Sequence, residues 1–258
     1  MNHSEYFRFY RAELGYNSQE TARNYLAGKD IKPKIDFQYT KLLIERVSEI
    51  IIHINSKINI SCRHENIGDF VKVSIFDKFK IINESGVINS LNNQGRRVEE
   101  VLFSWMRGSA IGDYFERSIA RFFGVPNNSI KKIGDDKLSD QSIFKRTPKA
   151  DYEIPTKPRK TRVEIQAGFQ GINDIKQHKI IEAKKIYSIS RIDTICIHID
   201  IFNGQAAFVN LSKIRDDDQN WVTRQQMEGQ TVFSIDQNHF KWRLLDPIPN
   251  LKTIEWQP

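Results

Sequence analysis

The segment from residue 162 to residue 168 constrains the fold more than any other part of this 258-residue chain. Alternation along a strand separates its apolar side chains from its polar ones. One face carries Val163, Ile165 and Ala167, and the other carries Glu164 and Gln166. A helical pattern and two apolar segments follow, which predicts a covered sheet, and a strand covered on both faces is normally apolar throughout. Two polar residues there need a chemical reason, unless the strand lies half-exposed at an edge.

The second half of the chain predicts an α/β domain with elements in the order α-β-β-β-α-β-β. The first helical region covers 101–123 and is interrupted near Gly108, and the second helix covers 173–187 with Asn173 as its N-cap. Strands are predicted over 129–133, 150–154, 162–167, 192–202 and 206–211. The helix between the third and fourth strands makes a crossover, so part of the sheet is expected to be parallel.

The first 95 residues predict a mostly helical region. Asn17 and Glu20 have the spacing of a capping box, and apolar residues recur at helical spacing over 37–55. Residues 66–82 fit either a short strand or a helix. The expected fold class is therefore a mixed central sheet flanked by helices (96–258), preceded by a helical region (1–95).

The distribution of charge favours a polyanionic partner. The chain carries a formal charge of +7, and the window 131–162 holds ten basic and five acidic residues, a local excess of +5. Such a window is either a solvated loop surface or a surface that follows phosphates.

Other classes are excluded by their missing patterns. No apolar run approaches a membrane span, and no signal peptide is evident at the N-terminus. Cys62 and Cys196 are far apart, which indicates a reducing, cytoplasmic setting without a zinc site or disulfide framework. The sequence has no Gly-x-Ser-x-Gly elbow and no Gly-rich phosphate loop.

A pair of carboxylates gives the strongest indication of chemistry. Asp151 starts the second predicted strand, thirteen residues before Glu164. A hairpin that folds 150–154 onto 162–167 brings the two together, and paired carboxylates repel unless a cation neutralises them. Oxygen ligands of this kind suit Mg²⁺, which keeps several water ligands and often bridges to a phosphate.

Asp151 followed by Glu164-Ile165-Gln166 resembles the signature of the PD-(D/E)XK nuclease superfamily, in a Glu-x-Gln variant that occurs in some type II restriction endonucleases. The helix around Glu116 resembles the first core helix of that family, and the predicted element order is similar to its common core. The resemblance covers roughly residues 108–211. Two positions depart from it, since Ala150 replaces the usual proline and Gln166 replaces the usual lysine.

The resemblance implies a restriction-endonuclease-like core and Mg²⁺-dependent, sequence-specific hydrolysis of double-stranded DNA that leaves 5′-phosphate ends. It implies that Asp151, Glu164 and the backbone carbonyl of Ile165 bind the metal, for which Mn²⁺ can substitute. Gln166 would position the attacking water, and Glu116 would hold a second metal or its water shell. A solvated helix acid is the alternative for Glu116.

The implied partners are double-stranded DNA, a second copy of the chain and a cognate DNA methyltransferase, with no membrane. Residues 1–95 are then candidates for DNA recognition or dimerisation. Candidate DNA-contacting side chains are Lys149, Gln170, Gln177 and Lys179, although exposed amides are the simpler interpretation of the two glutamines. Three alternatives remain: a DNA-binding protein that has lost catalysis through Gln166, a repair or junction nuclease on the same core, and an α/β protein with no nucleic-acid role.

Overall fold

The N-terminal part of the chain is helical in the computed structural model, which describes residues 3–28, 30–31, 34–91, 96–134, 148–157, 159–224, 229–250 and 254. Its helices are α1 His3–Glu13, α2 Gln19–Leu26, α3 Phe37–Lys57, α4 Ile67–Val71 and α5 Lys78–Glu84. A π-helical stretch, Lys72–Asp77, joins α4 to α5. The helical alternative for residues 66–82 is therefore confirmed. The side chain that caps α2 is Ser18, one residue after the predicted Asn17, and it accepts a hydrogen bond from the N–H of Thr21.

The rest of the chain is mixed α/β. Within its described residues, two α-helices, α6 Val98–Phe123 and α7 Gln177–Ser190, accompany nine strands. The strands are β1 Lys131–Lys132, β2 Tyr152–Ile154, β3 Thr161–Gly168, β4 Asp174–Lys176, β5 Asp193–Asp200, β6 Gln205–Asn210, β7 Trp221–Arg224, β8 Gln230–Ser234 and β9 Phe240–Arg243. Strands β7 to β9 were not predicted, because their short segments mix polar and apolar residues without a clear period.

The strands form two sheets. The larger has the order β1-β2-β3-β5-β6-β9, and the smaller has the order β4-β8-β7. Strands β3 and β5 are parallel and α7 lies between them in sequence, whereas the other pairs of the large sheet are antiparallel. The predicted crossover and partly parallel sheet are thus confirmed. Strand β3 is interior, so the half-exposed edge position considered for it is wrong.

Alternation along the strands assigns each face of the large sheet to a different core. Val163 and Ile197 pack with α3 and α6 in the main cluster, which also takes in residues from the helical N-terminal region. Cys196 and Val209 pack instead with α7 and β8 in a second cluster. The large sheet therefore lies between a helical layer and a layer formed by α7 and the small sheet.

Two local predictions are wrong for identifiable reasons. Helix α6 runs without a break through Gly108, because buried Met106 and Ala110 anchor it on both sides of the glycine. Helix α7 begins at Gln177 rather than after Asn173, because residues 174–176 pair with β8 as a strand. In the described part of the chain, no helix has the length and hydrophobicity needed to cross a bilayer.

Candidate functional site

The predicted hairpin brings Asp151 and Glu164 to neighbouring strands. Strands β2 and β3 are antiparallel with Tyr152 opposite Val163, and one further step in this register places Asp151 opposite Glu164. The Oδ2 atom of Asp151 accepts a hydrogen bond from the N–H of Ile165 at 2.7 Å. The carboxylate therefore binds the backbone of β3 beside Glu164, which fixes its position at the end of the hairpin.

Glu164 is a buried carboxylate. Its side chain is 3% exposed, and its Oε1 accepts a hydrogen bond from Nζ of Lys179, which is 17% exposed and lies in the first turn of α7. Burying a charge is costly unless it is paired, so this contact explains how an acid is tolerated on an interior strand. Lys179, one of the candidate DNA-contacting residues, thus belongs to the same cluster as Asp151 and Glu164.

Gln166 and Ile165 continue the same strand. Gln166 is half-buried, and its Nε2 lies 3.5 Å from Oε1 of Glu164, at the outer limit of a hydrogen bond. The Ile165 side chain packs against the main core, and its N–H is the donor to Asp151. The Asp-Glu-x-Gln motif is therefore held together by two contacts along β3.

Strand β5 places two further residues beside Glu164 and Gln166, and the sequence analysis predicted neither. In the parallel register, Cys196 is the partner of Glu164 and His198 is the partner of Gln166. Both are buried, and burial raises the pKa of the Cys196 thiol to about 12, so the thiol is protonated near neutral pH. The signal was present in the strand sequence Asp-Thr-Ile-Cys-Ile-His-Ile-Asp, where the less apolar residues alternate in step with Glu164 and Gln166.

Glu116 lies on the opposite face of the sheet from Glu164. It projects from α6, where its Oε2 accepts a hydrogen bond from the Tyr152 hydroxyl at 3.2 Å and lies 3.4 Å from Nζ of Lys132. Burial and the neighbouring carboxylates of Glu116 and Asp113 raise the pKa of the Tyr152 hydroxyl, which stays protonated as a donor. The structure thus places Glu116 in a separate charged cluster.

That cluster opens into a cleft of about 750 Å³. Within it, Lys78 and Lys132 both pair with Asp113, at 2.7 and 3.3 Å. Burial acts to lower the pKa of Lys132, but the nearby carboxylates of Asp113 and Glu116 outweigh it and raise that pKa. No sequence pattern indicates this cleft, because its walls come from three separated segments around residues 64–78, 113–117 and 127–132.

The remaining candidate DNA-contacting residues lie on the surface. Lys149, Gln170 and Gln177 are exposed. Gln177 is the first residue of α7, two positions before Lys179, and side chains at this spacing on a helix do not face the same way. Residues 135–147 and 158 of the basic window 131–162 lie outside the described residues.

The donor set at Asp151 and Glu164 fits Mg²⁺. Two carboxylates on adjacent strands offer hard oxygen ligands, and Mg²⁺ is commonly bound by one or two carboxylates with water and phosphate completing its shell. Among the residues that the structure describes, no cluster of three or more His, Cys, Asp or Glu side chains has ligand geometry. A cation here would therefore have these two carboxylates as its side-chain ligands, with backbone carbonyl, water or phosphate oxygens as the others.

Comparison of the chain with known proteins gives no match to any family model and no significant match to a curated protein sequence.

Proposed function

We propose that this protein is a Mg²⁺-dependent endonuclease that cleaves double-stranded DNA at specific sequences, as type II restriction endonucleases do. The observation that carries the proposal is the position of Asp151 opposite Glu164 on adjacent antiparallel strands, immediately before the α7 crossover. The element order α6-β1-β2-β3-α7-β5 is the one that the resemblance to PD-(D/E)XK nucleases implies. Strand β4 is an addition to that order, since it pairs with β8 in the small sheet.

Asp151 and Glu164 would hold the cation, with the backbone carbonyl of Ile165 as the third protein ligand that the resemblance implies. When bound, Mg²⁺ would lower the pKa of a coordinated water and stabilise the negative charge on the scissile phosphate. The contact between Asp151 and the Ile165 N–H fixes the first carboxylate relative to β3. This preorganisation lowers the entropic cost of assembling the site.

Lys179 provides the positive charge that Gln166 lacks. The proposed active site has glutamine where most related nucleases have lysine, and a carboxamide can only donate or accept hydrogen bonds. Lys179 reaches Glu164 from α7 and neutralises it before the cation binds. Because it lies beside Glu164, the ammonium group would be placed to donate a hydrogen bond to a phosphate oxygen of the bound DNA. Gln166 would then orient the attacking water.

Cleavage of both strands at a palindromic site requires two active sites related by a twofold axis, so the proposed functional unit is a homodimer. The basic residues around β1, β2 and β3 would track the DNA backbone, which predicts binding that weakens as salt concentration rises.

The test is digestion of a sequenced plasmid with the purified protein in Mg²⁺, followed by end mapping. Discrete fragments with 5′-phosphate ends support the proposal, and Asp151→Asn and Glu164→Gln variants should give none. A wild-type protein that cuts no DNA with Mg²⁺ or Mn²⁺ contradicts it. A ladder of random cuts, or cutting restricted to branched DNA, would instead favour a repair or junction nuclease.

The second candidate function is sequence-specific DNA binding without cleavage. Two observations favour it: Gln166 replaces the motif lysine, and Lys179 already neutralises Glu164. It predicts salt-dependent DNA binding that is unchanged by EDTA and by the Glu164→Gln substitution, together with no cleavage under any metal condition.

A further inference from the structure

A chain of buried polar side chains lies beside Gln166, at the ends of β3 and β5. It consists of Asp200, Asn173 and His198; Asp200 and His198 are buried, at 0% and 3% exposed, and Asn173 between them is partly buried. Buried polar groups are costly unless they are hydrogen-bonded, so each contact in the chain constrains the next one. None of the three side chains binds the proposed cation or the attacking water.

Asp200 sets the orientation of Asn173. Its carboxylate accepts hydrogen bonds from the N–H and Nδ2 of Asn203 at 3.2 and 2.7 Å, and from Nδ2 of Asn173 at 3.1 Å. Burial acts to raise the pKa of Asp200, but these donors hold it below its ordinary value. An ionised carboxylate only accepts hydrogen bonds, so the NH₂ group of Asn173 must face Asp200 and its carbonyl oxygen must face away.

Asn173 in turn sets the tautomer of His198. Oδ1 of Asn173 lies 2.8 Å from Nε2 of His198, and because an amide oxygen only accepts, Nε2 must carry the hydrogen. Burial lowers the pKa of His198 to about 4, which keeps the ring neutral near pH 7. Nδ1 is therefore a lone-pair acceptor, and it is buried without a hydrogen-bond partner among the described residues.

The geometry around Gly168 shows which way the ring points. A methyl group at Gly168 would lie 2.6 Å from Oδ1 of Asn173, 2.8 Å from Nε2 of His198 and 3.6 Å from Cε1 of the same ring. The Nε2 and Cε1 atoms of the ring thus lie against β3 at Gly168, and Nδ1 is bonded to Cε1 on the same ring. On β3, the residue in register with His198 is Gln166, whose side chain projects from the same face of the sheet.

We propose that His198 is a positioning residue for Gln166, with its Nδ1 accepting a hydrogen bond from the Gln166 carboxamide. The structure does not contain this bond, because Nδ1 has no partner in the part of the chain that it describes and Nε2 of Gln166 lies 3.5 Å from Oε1 of Glu164. A rotation of the Gln166 side chain would form the bond, turn its NH₂ group toward β5 and leave its Oε1 atom to face the attacking water. Oε1 then accepts a hydrogen bond from that water and orients its lone pair. The inference rests on the proposed nuclease function for the role of Gln166, but the hydrogen bond itself does not depend on activity.

Two substitutions separate the two nitrogens of His198. His198→Asn places a polar atom near the Nδ1 position, and His198→Gln places one near the Nε2 position. We expect His198→Gln to lower kcat roughly tenfold with KM within about twofold, the effect of losing one orienting hydrogen bond, and His198→Asn to retain kcat within about threefold. Equal losses in both variants, or a wild-type kcat in His198→Gln, would overturn the proposal.

A spectroscopic measurement tests the hydrogen bond without cleavage. Long-range ¹H–¹⁵N correlation spectra of the wild-type protein in Mg²⁺ should show His198 as the tautomer with hydrogen on Nε2. Gln166→Leu should move the Nδ1 resonance toward the value of an acceptor without a donor, whereas Gln170→Leu, an exposed control, should not move it. An Nδ1 resonance unchanged by Gln166→Leu overturns the inference. If the wild type cuts no DNA but the resonance moves, the nuclease proposal fails and the hydrogen bond stands.

Discussion

The two faces of the large sheet carry similar charged groups in different surroundings. On the α6 face, Asp113 and Glu116 pair with lysines in an open cleft, and Lys132 there is 61% exposed. On the α7 face, Glu164 and Lys179 are 3% and 17% exposed. The ion pairs of Lys132 are therefore solvent-screened, whereas Glu164 on the other face is largely desolvated; Lys78 and Asp113, at 16% and 19% exposed, lie between these two cases. Only the desolvated pair sits beside a second carboxylate on a neighbouring strand, which is why the proposal assigns the chemistry to that face.

The largest expected effect is on cleavage and separates the two faces directly. Glu164→Gln should lower kcat on the order of a thousandfold, because it removes a charged ligand from the proposed metal site. Glu116→Gln should lower it less than about tenfold, since an amide oxygen can still accept the Tyr152 hydroxyl hydrogen. Plasmid cleavage rates in Mg²⁺ measure both. Comparable losses in the two variants would mean that both faces serve one active site.

The next effect is on stability. Lys179→Met should lower the free energy of unfolding by about 3 kcal/mol, because it leaves the buried Glu164 carboxylate without its cation. Lys132→Met, the matched change on the exposed face, should cost no more than about 1 kcal/mol. Urea unfolding at pH 7 checks both values. A Lys179→Met protein as stable as Lys132→Met would show that solvent reaches Glu164.

The next effect is on the pH dependence of stability and comes from the buried ring of His198 on the α7 face. The pKa of His198 falls from 6.5 to about 4 on folding, so the unfolded chain binds more protons between these values. The contribution of His198 to the free energy of unfolding is therefore at its maximum above about pH 6.5. It decreases by about 3 kcal/mol in total as the pH falls toward 4. Unfolding curves at several pH values should show this loss in the wild type and not in His198→Gln. Parallel pH profiles for the two proteins would contradict the burial of the ring.

The smallest expected effect is at the charged cluster around Glu116 on the α6 face. Tyr152→Phe removes the hydroxyl that donates to Glu116 and should cost about 1 kcal/mol of stability, the usual net value of one hydrogen bond. Cleavage should be nearly unchanged, because Tyr152 faces α6 and its neighbour Asp151 binds the backbone of β3. Thermal unfolding and plasmid digestion measure the two outcomes. A large loss of cleavage would indicate that the α6 face positions Asp151.

Local pattern was sufficient for most of the elements. Alternation identified β3, and helical spacing identified α3 and α7 to within a few residues, since both periods depend on neighbouring residues alone. Gly108 and Asn173 gave misleading local signals, because buried contacts hold α6 straight and β8 recruits residues 174–176 as a strand. Strands β7 to β9 escaped detection because their pairing partners, not their own sequences, stabilise them.

The sequence by itself determined the crossover fold, and it predicted that Asp151 and Glu164 would meet, because a short hairpin links them. Only the tertiary structure decided that Lys179 neutralises Glu164, that His198 lies beside Gln166, and that Glu116 belongs to the other face. The physical reason is range. A strand's own alternation fixes which side chains share a face, whereas the element that covers that face depends on pairings between distant segments, and those pairings set the burial and charge of the site.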